Sequence, residues 1–200
     1  MEELLSRETR QRMIAQMEVN KLVLVGFMGT GKSSVSRELS ARLGWARLDS
    51  DEEIVKRAGQ SISDIFATDG EGRFRDLESE AIADLLNKEQ PGIIATGGGA
   101  VLRESNRSIM LEKSLVVALM ADAESIIARV SKDEERPLLQ GDARERVYKL
   151  LEQRRGAYDF AHLAIDTTGL SVQDVAERII ACKNEWNAPG PSSGSGDATE

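Results

Sequence analysis

From Leu22 to Val25 the chain runs through apolar residues without a break, between Lys21 and Gly26. A short continuous run of this kind, bounded by a charge and a glycine, predicts a strand covered on both faces, as in a parallel sheet. Val35, Leu39 and Leu43 then recur at four-residue spacing, which predicts a helix over 33–43. The alternation continues to the end of the chain. Short strands are expected at 45–48, 93–95, 115–119 and, more weakly, at Ala164 and Ile165. Helices are expected over 52–58, 62–67, 71–86, 123–130, 143–158 and 172–186. Strands alternating with helices imply an α/β domain built on a parallel sheet, and no internal repeat is visible.

The two ends break this pattern. Residues 1–18 carry Leu4, Leu5, Met13, Ile14 and Met17 among charges, a thin helical stripe. Residues 187–200 are rich in Pro, Gly and Ser, and such a tail is expected to be disordered because it has little apolar surface to bury. The domain is therefore expected over 19–186.

Composition narrows the function. With 200 residues, 40% hydrophobic and 30% charged, the chain has enough apolar content for one globular core. A net charge of −8 argues against a general nucleic-acid binder and against docking on an anionic membrane. An anionic ligand would have to meet a local cluster of cations. A single cysteine, Cys182, excludes an intrachain disulfide and reads as a packing residue on the last helix. A single histidine, His162, leaves no His/Cys set for zinc and reads as a solvated or strand-edge side chain. No apolar run reaches the ~20 residues of a membrane span, and no signal core precedes the domain, so a cytoplasmic protein is expected.

The strongest motif is Gly26-Phe27-Met28-Gly29-Thr30-Gly31-Lys32-Ser33, which matches G-x-x-x-x-G-K-[ST]. It follows a buried strand and opens a helix, the context this loop requires. Its glycines let backbone N–H groups converge on phosphate, and the helix N-terminus adds positive potential. Lys32 reaches the outer phosphates, and the Ser33 hydroxyl is a hard ligand for Mg²⁺. The motif leaves the phosphate acceptor open.

Other candidates cluster at predicted strand ends. Asp49-Ser50-Asp51 follows the second strand, where ligands of open α/β sheets bind. One carboxylate there can hold Mg²⁺ through water and the other can accept a proton from a hydroxyl, although helix capping explains an Asp equally well. Thr96-Gly97-Gly98-Gly99 follows the third strand. Three consecutive glycines favour close approach of a ligand to backbone over a simple turn. Arg75 and Arg154 are forks suited to an anionic substrate, against a background of ordinary solvated arginines. Arg136, beyond an acidic stretch at 132–135, is placed to act from a lid, although an ordinary surface loop explains the stretch equally well.

These motifs together resemble the shikimate kinase family, over about 21–180. The resemblance rests on Gly26 to Ser33, Asp49-Ser50-Asp51, Gly70-Glu71 with Phe74-Arg75 and Glu78, Gly97-Gly98-Gly99, Arg136-Pro137-Leu138-Leu139, and Arg154 four residues before Tyr158. It implies a three-layer α/β/α P-loop kinase fold with a five-stranded parallel sheet. It also implies a substrate-binding region near 50–80 and a lid near 131–141. The implied activity is transfer of phosphate from ATP, with Mg²⁺, to the 3-hydroxyl of shikimate on the route to chorismate.

By position, Gly29, Thr30 and Gly31 join Lys32, Ser33 and Ser34 at the ATP phosphates. Arg129 stacks on adenine, and Thr168 lies in the turn beside it. Ser33 and Asp49 serve the metal, and Asp51 is the candidate base. Arg75 and Arg154 grip the carboxylate, with Gly97, Gly98 and Gly99 lining the pocket. Lys32 and Arg136 act on the transferring phosphate. Arg73 and Arg155 are expected to face away from Arg75 and Arg154 by helix rotation. The resemblance also implies a monomer with no nucleic-acid or membrane partner. A gluconate or nucleotide kinase on the same scaffold, or a non-catalytic ATP-binding module, are the alternatives.

Overall fold

The computed structural model describes residues 19–130 and 143–186. The expected N-terminal helix, the lid with Arg136 and the C-terminal tail lie outside the described residues. Five parallel strands form one sheet in the order β2-β3-β1-β4-β5. They are β1 (Lys21–Gly26), β2 (Ala46–Asp49), β3 (Gly92–Ala95), β4 (Leu115–Met120) and β5 (Leu163–Asp166). The helices are α1 (Lys32–Leu43), α2 (Ser50–Ala58), α3 (Ile62–Thr68), α4 (Gly70–Asn87), α5 (Glu104–Lys113), α6 (Ala123–Val130), α7 (Ala143–Gln153) and α8 (Val172–Trp186).

The period of two along each strand sorts its side chains onto the two faces. Leu22 and Leu24 of β1, with Leu115, Val117 and Leu119 of β4, pack against Val35 and Leu39 of α1 and Val175 and Ile179 of α8. Val23 and Val25, with Val116 and Ala118, pack on the opposite face against Ile82 and Leu85 of α4 and Met110 of α5. Helices cover both faces, so β1 is buried along its whole length and reads as continuous apolar sequence. A smaller cluster joins α2, α3 and α4 through Ile54, Ile65, Phe74 and Leu77. It braces the region beside the end of β2.

Two expectations need correction. A helix at Glu104–Lys113 (α5) lies where none was expected. Its buried face consists of Asn106 and Met110, and the Asn106 side chain donates to Ala100 O at 2.9 Å. A helix whose inward face is half polar gives no hydrophobic period to detect. Conversely, α7 ends at Gln153 rather than continuing to Tyr158. Gly156 adopts a left-handed conformation at φ 73, which breaks the helical path.

Candidate active site

The site gathers at the carboxyl ends of β1, β2 and β3. At the end of β1, Gly26 has φ 145, and a Cβ there would lie 2.3 Å from Leu119 O on β4. Only glycine lets the chain turn out of the sheet so close to its neighbour. Phe27 is buried with Ile126, Val130 and Val147, which anchors the loop from below. Thr30 donates to Phe27 O at 2.8 Å. Lys32 Nζ donates to Gly26 O at 2.8 Å and to Phe27 O at 2.9 Å, so its ammonium sits over the loop. Ser33 and Ser34 are exposed on the first turn of α1.

At the end of β2 the two aspartates divide their work. Asp49 Oδ1 accepts from Asp51 N at 2.9 Å and Glu52 N at 3.4 Å, capping α2. Its Oδ2 lies 3.8 Å from Arg47. Ser50 is buried, and its Oγ accepts from Gly97 N at 3.1 Å, which ties β2 to the triple glycine. The hydroxyl at position 50 thus bridges two strand ends, a role its place between two acids did not reveal.

Each of the three glycines faces different side chains of the candidate site. A Cβ on Gly97 would stand 3.0 Å from both Asp51 Oδ1 and Glu78 Oε1. On Gly98 it would stand 3.2 Å from Arg154 Nη1, and on Gly99 2.6 Å from Arg75 Nη1. Adjacent Cα atoms are about 3.8 Å apart, so these groups converge on a very short stretch of backbone. Gly98 O accepts from Arg154 Nη1 at 3.2 Å and from the Tyr158 hydroxyl at 3.0 Å. The Arg154 guanidinium lies 5.3 Å from the Phe27 ring centroid, which links this corner to the phosphate loop.

Arg75, on α4, donates through Nη1 to Glu78 Oε2 at 2.7 Å. Its Nε and Nη2 donate to Glu71 Oε1 at 3.3 and 3.1 Å. Burial lowers the Arg75 pKa, but the bonds to Glu78 and Glu71 outweigh it and leave the group firmly cationic. Burial pushes the Glu78 carboxyl up, and the neighbouring guanidinium opposes the shift. Burial likewise pushes the Tyr158 phenol up, although Arg154 opposes it, which keeps the hydroxyl a donor to Gly98 O. By contrast Arg73 and Arg155 face outward, beside Glu80 and Glu152. Helix rotation separates Arg73 from Arg75. Arg155 and Arg154 lie beyond the end of α7, so there a turn does the separating.

Arg129 reaches from α6 to Gly29 O and Thr167 Oγ1, both at 3.2 Å, and to Thr167 O at 3.2 Å. Thr167 is buried, and its Oγ1 is 2.9 Å from Met120 O and 3.3 Å from Thr30 O. This hydroxyl joins the ends of β4 and β5 to the phosphate loop, a role that no sequence motif marks. Thr168 is exposed and accepts from Asp122 N at 3.1 Å.

The candidate hard-oxygen partners for a divalent cation are the exposed Ser33 hydroxyl and Asp49. Mg²⁺ keeps several waters and takes few protein ligands beside phosphates, so this sparse set fits it. Among the described residues there is no group of three His, Cys, Asp or Glu side chains that would hold a metal alone.

Comparison with known proteins places this geometry. A shikimate kinase family model matches residues 28–183. A shikimate kinase of Geobacter sulfurreducens is 48% identical over 165 residues, 82% of this chain and 91% of that protein. The solved structure of a shikimate kinase from Acinetobacter baumannii in complex with shikimate superposes with a TM-score of 0.77 at 33% identity, covering 88% of this chain and 97% of that one. A gluconokinase of Sinorhizobium meliloti reaches a TM-score of 0.56 at 15% identity, covering 85% of this chain and 94% of that one, a likeness of fold alone. The chain belongs to the shikimate kinase family.

Proposed function

We propose that the cleft transfers the γ-phosphoryl group of ATP to the 3-hydroxyl of shikimate, giving shikimate 3-phosphate and ADP. The observation that carries this reading is the triple glycine, with Asp51, Arg154 and Arg75 opposite successive residues. It brings a hydroxyl-seeking carboxylate and two carboxylate-seeking forks together, the polarity of an acidic cyclic alcohol.

Lys32 and the loop N–H groups hold the triphosphate, and the phosphates take the ammonium from the loop carbonyls. Arg75 and Arg154 fix the shikimate carboxylate, and Gly97 to Gly99 admit the ring against bare backbone. Asp51 accepts the proton of the 3-hydroxyl as that oxygen forms its bond to the γ-phosphorus and the bond from phosphorus to the ADP oxygen breaks. Arg129 anchors the loop beside the adenine, and Thr168 lies in the adjoining turn. Arg136, outside the described residues, is assigned to the transferring phosphate by the resemblance alone. Ser33 and Asp49 would hold Mg²⁺, which would supply neutralisation of the phosphate charge. Catalysis is then chiefly positioning and electrostatics.

Action as a monomer is proposed on the family resemblance alone. No helix among the described residues is long and apolar enough to cross a membrane; a cytoplasmic location is proposed from the family resemblance. A coupled assay with Mg·ATP and shikimate, gluconate or a nucleoside monophosphate tests the reading. Turnover is expected with shikimate. Asp51→Asn is expected to lower kcat about a hundredfold and leave ATP binding intact. Preference for gluconate would replace the substrate. ATP binding with no acceptor phosphorylated would make the protein a binding module.

A further inference from the structure

Arg75 is paired on both sides along its own helix. Glu71 precedes it by four residues and Glu78 follows by three, the spacings that bring side chains together on a helix surface. The two partners differ sharply. Glu78 is 1% exposed, and its carboxylate lies 2.7 Å from Nη1, an internal strut. Glu71 is 67% exposed in the first turn of α4, and it takes Nε and Nη2 together. That pair of N–H groups is one edge of the guanidinium fork, to which carboxylates bind in parallel. Glu78 already engages Nη1, and the Nη1/Nη2 side of the guanidinium lies beside Gly99. An arriving carboxylate must therefore contend with Glu71 for the Nε/Nη2 edge.

We propose that Glu71 is an internal stand-in for the substrate carboxylate, which holds Arg75 in place before binding and yields when shikimate arrives. The proposal rests on the assignment of Arg75 to that carboxylate. An exposed carboxylate can leave readily, because solvent takes over its lost pairing. Glu78 cannot leave in this way, since departure would strand a buried charge. Glu71 thus tunes affinity for the acid, while Glu78 sets where the fork points. The arrangement also sets a selectivity filter, since a ligand without an anionic group gains too little from Arg75 to displace the carboxylate already there.

The test is the steady-state kinetics of Glu71→Gln, beside Glu80→Gln and Arg75→Ala. Glu80 is an exposed carboxylate farther along α4, beside Arg73. It controls for the general effect of removing one negative charge. The proposal expects the shikimate KM of Glu71→Gln to fall about two- to fivefold, with kcat and the ATP KM unchanged, and Glu80→Gln to match wild type. A higher or unchanged shikimate KM in Glu71→Gln would overturn it, because Glu71 would then support the bound state or take no part. An equal fall in Glu80→Gln would overturn it too, by assigning the effect to long-range charge. If Arg75→Ala leaves the shikimate KM unchanged, the underlying assignment of Arg75 fails, an outcome distinct from failure of the stand-in alone. Shikimate titration by calorimetry without ATP checks the same ranking, and thermal melts verify that each variant is folded.

Discussion

Gly99 has Arg75 directly beside it: an added Cβ would sit 2.6 Å from Nη1, 2.7 Å from Nη2 and 2.9 Å from Cζ. These atoms end a flexible side chain, so a methyl group there is accommodated by moving the guanidinium rather than the backbone. Gly99→Ala is therefore expected to melt within a few degrees of wild type but to raise the shikimate KM about tenfold, the scale of one charge-assisted hydrogen bond. An unchanged KM would show that the present position of the fork is not the one that binds substrate. Gly26 is the opposite case, because its added Cβ would meet the backbone oxygen of Leu119. At this scale the sequence was informative wherever a rare residue type was needed. Glycines that admit a neighbour, and a lysine after a glycine loop, announce themselves by spacing. Ser50 and Thr167 do not, since a hydroxyl that bridges two strand ends looks like any other serine or threonine until the ends are brought together.

Among the elements, strands and helices were legible where one face is apolar and the other is not, or where a strand is apolar throughout. Helix α5 leaves no hydrophobic period because Asn106 occupies its buried face, and α7 is shorter than its helical pattern because the left-handed Gly156 follows it. His162 was expected to be solvated or at a strand edge. It is at the edge but half-buried, entering β5, with Nδ1 accepting from Val116 N at 3.0 Å and the ring 5.0 Å from that of Trp186 on α8. Burial lowers its pKa to about 4. The unfolded chain, with a histidine pKa of about 6.5, then binds more protons than the folded one between these values. The contribution is complete above pH 6.5 and is lost as pH falls toward 4, by about 2 kcal/mol between pH 7 and pH 5. A protonated ring can no longer accept from Val116. His162→Asn keeps an acceptor and cannot titrate, so urea unfolding at the two pH values should show a smaller loss for the variant. Equal losses would mean that this ring does not govern the acid sensitivity of the β4–β5 edge.

At the scale of the whole molecule, a chain of net charge −8 is proposed to hold two anions at once. The strand order explains how. β1 lies between β3 and β4, so the loop after β1 and the glycines after β3 open side by side at one end of the sheet. Lys32 and Arg129 gather at the loop, while Arg75 and Arg154 gather at the glycines. The global field matters less than this local segregation into two cationic corners, joined where Arg154 lies over Phe27. Two corners predict two separable stabilisations, because each ligand favours the folded state by mass action. At a hundred times its dissociation constant a ligand adds about 2.7 kcal/mol, which is roughly 5–10 °C in Tm for a chain of this size. Mg·ATP and shikimate should each raise the melting temperature of wild type on this scale. Lys32→Met should lose the Mg·ATP shift and keep the shikimate shift, and Arg154→Ala should do the reverse. If either substitution removed both shifts while the unliganded melt stayed cooperative, the two anions would share one corner, and the division of cations drawn here would be wrong.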